Sequence, residues 1–303
     1  MRYLKPIVLS MRPRQWVKNF MVFPALLFSG HMLEPVSIAV CVGGFVVFCL
    51  LSGAVYLYND LADIERDRAH PVKSRRPIPS GELPASVAHR AIRFLIALAF
   101  AGAFALNLIS TKVGVDFALV GLIYLVLQVA YSQRLKHVVI LDVMCIALGF
   151  VLRVVAGSAL LNVPASFWVI CCTTLLALFL GFGKRRHELT LLADGATNHR
   201  RILEEYSTTF LDQMIALVTA ATVIAYSLYT MSEETAAHLG PGAVYLPLTI
   251  PFVIYGIFRY LYLVHGKDQG GSPTKALLND APIMVNIGLW FATVVVILYF
   301  VRR

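Results

Sequence analysis

The stretch Asn59-Asp60-Leu61-Ala62-Asp63-Ile64-Glu65-Arg66-Asp67 closes a long apolar run and carries the chain's densest chemistry. On a helix, Asp60, Asp63 and Asp67 fall at i, i+3 and i+7, so their carboxylates share one face. Like charges placed so closely repel unless a cation sits among them. Hard oxygen ligands suit Mg²⁺, which keeps several waters and bridges to substrate phosphates. A solvated helix end bearing surface acids is the alternative, and it fits poorly in a chain with only 14% charged residues. Arg66, Arg68, Lys73, Arg75 and Arg76 follow within a few residues. Acids for a metal beside bases for phosphate are the parts of a metal–diphosphate site.

Further polar residues sit where apolar runs begin or end. Asp142 opens a later apolar run, and Arg153 lies eleven residues beyond it. Eleven residues are close to three helical turns, so both project on one face. A charge that deep in a span is a candidate functional group, with Asp142, a backbone carbonyl or a substrate phosphate as partner. A structural ion pair is the competing reading. Lys18 and Asn19, in Arg12-Pro-Arg-Gln-Trp-Val-Lys-Asn19, begin one run, and Lys184 and Arg185 end another. Arg12 and Arg186 read more simply as basic flanks of the membrane.

The elements that must position these groups are membrane helices. Of 303 residues, 58% are hydrophobic, and uncharged runs of about 20 residues, the length a bilayer core requires, recur throughout. Nine spans are expected, at about 17–33, 36–58, 85–108, 113–131, 138–161, 165–183, 212–231, 243–263 and 281–301. They form a single all-α transmembrane catalytic domain, 1–303, with cap loops at about 59–84, 132–137, 184–211 and 264–280. Connections at Ser29–Pro35, Asn107–Lys112 and Asn162–Ala165 are tight. The net charge of +9 belongs to the basic loops and implies a cytoplasmic N-terminus, not a nucleic-acid partner. Only Lys112, Arg302 and Arg303 break the pattern, and no small-residue cleavage site follows the first run. Within 184–211, Ile202, Leu203, Tyr206 and Phe210 have the spacing of an amphipathic helix over the mouth or on the headgroups. Cys41, Cys49, Cys145, Cys171 and Cys172 lie in apolar runs and read as small buried hydrophobes.

The Asn-Asp-x-x-Asp-x-x-x-Asp pattern, followed by Arg76-Pro-Ile-Pro-Ser-Gly81, resembles the UbiA superfamily of intramembrane prenyltransferases along the whole chain. The resemblance implies about nine helices around a central cavity. The superfamily's second motif, Asp-x-x-x-Asp, corresponds here to Asp142 with Ile146 in the second acid's place. That departure, Arg-Pro-Arg-Gln-Trp-Val-Lys-Asn19 and Gly-Lys-Arg185 resemble the decaprenyl-phosphate phosphoribosyltransferase branch. Its members move phosphoribose from phosphoribosyl diphosphate to a polyprenyl phosphate lipid, making a precursor for cell-wall polysaccharide.

The resemblance implies Mg²⁺ held by Asp60, Asp63, Asp67 and Asp142, with Arg153 also catalytic. Lys73, Arg75 and Arg76 would neutralise the departing pyrophosphate, while Asn59, Tyr131 and Lys136 orient the sugar. Lys18, Asn19, Lys184 and Arg185 would meet the 5-phosphate or the lipid phosphate. The site is expected at the cytoplasmic face of the cell membrane, and homo-oligomerisation stays open. A prenyl diphosphate: aromatic acceptor transferase is the nearest alternative, against which Ile146 counts. A transporter is the alternative of another class, disfavoured because the polar groups gather at one mouth.

Overall fold

The computed structural model describes residues 2–110, 113–193, 201–266 and 273–301. Lys112, Arg302, Arg303 and residues 194–200 and 267–272, the last two within the expected caps 184–211 and 264–280, lie outside the described residues. Among the described residues every regular element is helical. In chain order the α-helices are α1 (Leu4–Ser10), α2 (Pro24–Phe28), α3 (Pro35–Ala62), α4 (Ile64–Arg68), α5 (Ala85–Ala105), α6 (Val115–Gln133) and α7 (Leu141–Leu161). There follow α8 (Phe167–Ala193), α9 (Thr208–Met231), α10 (Glu233–Leu239), α11 (Ile250–Gly266), α12 (Pro273–Asn279) and α13 (Ala281–Val295).

Eight of these segments are long and apolar enough to cross a membrane, from Pro35–Ala62 to Ala281–Phe300. They match the expected spans from the second onward. The first expected span, 17–33, is instead a 3₁₀ segment, Pro13–Val22, followed by the short α2. Pro24 supplies no N–H and its ring crowds the preceding turn, so an α-helix cannot run through it. The cap loops also contain more helix than expected. Here α8 continues through Arg185 to Ala193, and α4 and a 3₁₀ turn, Lys73–Arg75, lie within 59–84. The expected amphipathic helix at 202–210 is a 3₁₀ turn, Arg201–Glu205, followed by the start of α9. Ser207 accepts the Phe210 N–H at 3.1 Å and sets that start. Ile202, Leu203 and Tyr206 are buried, so their apolar side chains are covered by protein.

The chain packs as two compact units. The first comprises Met1–Leu26, Glu34–Cys145 and Leu152–Ala165. Its core packs Phe48, Leu51 and Val55 of α3 against Phe117 and Tyr124 of α6 and Leu152, Ala156 and Leu160 of α7. The rings of Phe48 and Tyr124 lie 5.4 Å apart, a tilted contact. A second cluster joins Met11, Leu57, Ile78, Leu83, Ala88 and Leu95, seating the loop after α4 on the ends of α3 and α5. Outward-facing Leu119, Ile123 and Val126 leave α6 apolar on its exposed side as well, as a lipid-facing helix requires.

Helix α7 is entered through strain and left without it. Ile140 has φ 68° and ψ −47°, with the Leu141 N–H bonded to Val139 O at 2.8 Å, a tight three-residue turn unusual for a β-branched residue. At the other end Asn162 takes the left-handed conformation (φ 51°), which its side chain tolerates and which makes the expected tight connection. Between them Gly157 meets the backbone of the 3₁₀ segment so closely that an added Cβ would lie 2.0 Å from Val22 O.

The second unit comprises Leu27–Leu33, Ile146–Val151 and Ser166–Arg303. Tyr226, Tyr229, Leu246, Val294, Ile297 and Leu298 form its core. The Tyr226 hydroxyl is satisfied there: Trp290 Nε1 donates to Tyr226 Oη at 2.8 Å, and Tyr226 meets Thr249 Oγ1 at 2.7 Å. Asp280 caps α13 by accepting the Ile283 N–H and is itself gripped by both Nε and Nη2 of Arg259 at 3.2 and 2.9 Å.

The close approach at Gly157 generates a stability prediction. Because the obstacle is backbone, Gly157→Ala must shift one segment against the other, at a cost of about 1–3 kcal/mol. Gly288 has no such neighbour within 4 Å, and Gly288→Ala is expected to be neutral or better. Thermal unfolding in detergent micelles checks both: a drop in midpoint for the first variant and none for the second.

Candidate active site

The acid motif sits at a break in the helix rather than along a continuous one. Helix α3 ends at Ala62, and Asp63, with φ −104° and ψ 14°, leaves helical geometry before α4 begins. Asp60 therefore lies on the last turn of α3, Asp63 at the junction and Asp67 on α4. Asp60 and Asp67 are both buried, at 2% and 3% exposure. The 3₁₀ turn Lys73–Arg75 then brings the chain back, and Arg76 leaves it in an extended conformation.

This path carries Arg76 in between the two acids. Its Nη1 donates to Asp60 Oδ1 at 3.0 Å and to Asp67 Oδ2 at 2.7 Å. Arg12, 48 residues from Asp60 in sequence, donates to the same Asp60 oxygen. Its guanidinium lies 4.8 Å from the centre of the Tyr56 ring, and its backbone is left-handed (φ 54°). Lys73 Nζ stands 3.8 Å from Asp67 Oδ1. Arg75, in the same turn, is exposed.

Asp63 faces another partner. Lys136, 5% exposed in the 3₁₀ turn Leu135–His137, reaches both its oxygens at 2.8 and 3.0 Å. Asp142 is fully buried in the first turn of α7. Asp63, at the junction, thus pairs with Lys136, whereas Asp60 and Asp67 share Arg76. Among the described residues, no three His, Cys, Asp or Glu side chains come together as a metal site. Two converging carboxylates are nonetheless what Mg²⁺ commonly takes from a protein when substrate phosphates and water complete its shell. Asp60 and Asp67 fit that requirement in kind. Asn59 adds a buried Oδ1 with no hydrogen-bond partner, an acceptor prepared for a donor or a cation.

Arg153 lies deeper and has partners that spacing did not indicate. Its Nε donates to Asn19 Oδ1 at 2.8 Å and its Nη2 to Tyr124 Oη at 2.9 Å, with the guanidinium 4.7 Å from the Tyr124 ring centre. Asn19, fully buried, passes the contact on through Nδ2 to Ser52 Oγ at 3.2 Å and Cys49 Sγ at 3.3 Å. The network pins the Pro13–Val22 segment to α3, α6 and α7, a positioning role for Arg153 and Asn19 in this arrangement. Lys18 and Tyr131 are half-buried.

In the second unit the bases of α8 have acids of their own. Arg185, 1% exposed, donates through Nη1 to Glu188 Oε2, and Lys184 Nζ is 3.7 Å from Glu188 Oε1. Arg186 binds Asp212, which also faces His265 Nε2 at 3.4 Å. Sequence reasoning missed Arg12 as a member of the acid cluster. Its run of bases looked like any membrane flank, and nothing in its spacing signals a contact 48 residues away.

Known proteins resemble this chain along nearly its whole length. The model of the UbiA prenyltransferase family matches residues 20–281. A decaprenyl-phosphate phosphoribosyltransferase of Mycolicibacterium smegmatis is 33% identical, over 97% of this chain and 92% of its own. One from Corynebacterium glutamicum is also 33% identical, over 97% of this chain and 86% of its own. Among solved structures, a UbiA homolog from Archaeoglobus fulgidus bound to GPP and Mg²⁺ has the same fold, with a TM-score of 0.71 at 20% identity over 97% and 99% of the two chains. The chain is a multi-pass membrane transferase and belongs to the UbiA prenyltransferase family.

Proposed function

We propose that the protein transfers 5-phosphoribose from phosphoribosyl diphosphate to a polyprenyl phosphate, releasing pyrophosphate. The observation that carries this reading is the convergence of Asp60 and Asp67 on Arg76, with Arg12 and Lys73 beside them. One cluster thus offers carboxylates to a metal and cations to a diphosphate. The name shared by relatives matched along nearly the whole chain supports the choice of donor and acceptor.

Asp60 and Asp67 would hold Mg²⁺, with the Asn59 carbonyl oxygen and Asp142 as further oxygen donors to the bound complex. Bound there, the metal supplies charge neutralisation on the diphosphate. Arg76, Lys73 and the exposed Arg75 take up charge on the pyrophosphate as it departs. Lys136, seated on Asp63, and Tyr131 orient the sugar and its phosphates by hydrogen bonds. Lys18 serves the 5-phosphate or the lipid phosphate.

As C1 of the ribose gains positive character, an oxygen of the lipid phosphate attacks opposite the leaving pyrophosphate. One C–O bond forms while another breaks, and the electron pair leaves with pyrophosphate. The attacking oxygen is already anionic, so no strong general base is needed. Positioning and electrostatic stabilisation supply the acceleration. By the distribution of bases the site faces the cytoplasm from the cell membrane, and the product is a lipid-linked pentose for cell-wall polysaccharide.

Purified protein supplied with labelled phosphoribosyl diphosphate, polyprenyl phosphate and Mg²⁺ should move label into the lipid phase. Failure to do so, with reaction instead of a prenyl diphosphate and an aromatic acceptor, would reverse donor and acceptor roles and sink the assignment. Asp60→Asn keeps the volume and removes the charge. Transfer should fall about a hundredfold or more, and chelation of Mg²⁺ should abolish wild-type turnover, both read in the same extraction assay.

A further inference from the structure

The bases of the acid cluster occupy the ground that a bridging cation would need. Arg76 Nη1 stands between Asp60 Oδ1 and Asp67 Oδ2, and Arg12 shares the same oxygen of Asp60. With Lys73 near Asp67, two carboxylates face three cations, leaving one net positive charge. A divalent cation arriving alone meets that charge and finds guanidinium groups seated on its ligands, so Coulomb repulsion opposes it. A diphosphate arriving alone finds donors already engaged with carboxylates.

Arriving together, the two satisfy every group. The carboxylates turn to the metal, and the released guanidinium groups find phosphate oxygens that accept the same charge-assisted bonds. The side chains of Arg12 and Arg76 are 29% and 32% exposed, against 2% and 4% for Asp60 and Asp67. The bases are therefore the movable partners and the acids the fixed ones. Stacking on Tyr56 keeps Arg12 within reach once its carboxylate is taken.

We propose that Arg12 and Arg76 are exchangeable counter-ions, passing from Asp60 and Asp67 to the diphosphate as those carboxylates pass to the metal. Metal and diphosphate then bind cooperatively, and each binds poorly alone. This rests on the metal–diphosphate reading given above, and it adds Arg12 to the residues that position the donor. Linkage requires the enhancement to be reciprocal: pyrophosphate tightens the metal by the factor with which metal tightens pyrophosphate.

Mn²⁺ retained by the detergent-solubilised protein on ultrafiltration, with and without pyrophosphate, reads this coupling without turnover. In the wild type, pyrophosphate should tighten Mn²⁺ about tenfold or more. Arg76→Gln should bind Mn²⁺ alone more tightly than the wild type and lose most of the enhancement. Arg76→Lys, which keeps the charge, should retain part of it, and Arg12→Gln should shift the same way as Arg76→Gln by less. A thermal melt of each variant establishes that it is folded, and if Arg76→Gln is not, the other two carry the comparison. Equal affinity for Mn²⁺ alone in wild type and folded variants overturns the exchange while leaving the metal–diphosphate reading intact. No retention of Mn²⁺ by the wild type, even with pyrophosphate, removes that reading and the exchange with it.

Discussion

Asp60 and Asp67, both nearly sealed from water, repel each other, and the guanidinium nitrogen between them is what lets them stand together. Most of the first unit's architecture serves that contact. Helix α3 delivers Asp60 from the apolar core, the break at Asp63 turns the chain so that Asp67 comes back toward it, and the Lys73–Arg75 turn returns Arg76. Burial of Ile78 and Leu83 beneath that return path gives the loop an apolar floor, so packing fixes the backbone around Arg76 while charge alone holds its side chain.

A second polar assembly holds the frame. In lipid a buried guanidinium is tolerated only where hydrogen bonds surround it, and Asn19 and Tyr124 provide them for Arg153. Because Asn19 belongs to the Pro13–Val22 segment, this network and the backbone contact of Val22 with Gly157 fasten the same stretch of chain. The segment is irregular, which would be costly against lipid. Within it Asn19 and Val22 are buried, Asn19 by hydrogen bonds to α3 and Arg153 and Val22 by its close approach to Gly157.

Much of this was legible in the amino-acid sequence, for reasons that differ by feature. The spans from Pro35 onward follow from length and apolarity alone. The motif from Asn59 to Asp67 and the downstream Arg76-Pro-Ile-Pro-Ser-Gly81 pointed to the family before any coordinates did. The first span is helical in two pieces, a break that average hydropathy does not register because it ignores the missing N–H of Pro24. The break at Asp63 was not legible, because helical spacing presumes a continuous helix and no residue between 60 and 67 is a Pro or Gly to announce it. The partners of Arg153 and the place of Arg12 depend on tertiary contacts over 134 and 48 residues, which no local pattern encodes.

The reach from Arg12 to Asp60 also orders events in time. During synthesis the arginine appears first, and its carboxylate follows 48 residues later, after α3 has been made. The acid cluster therefore draws on chain made before α3 and on chain made after it, with Arg12 on one side and Asp67, Lys73 and Arg76 on the other.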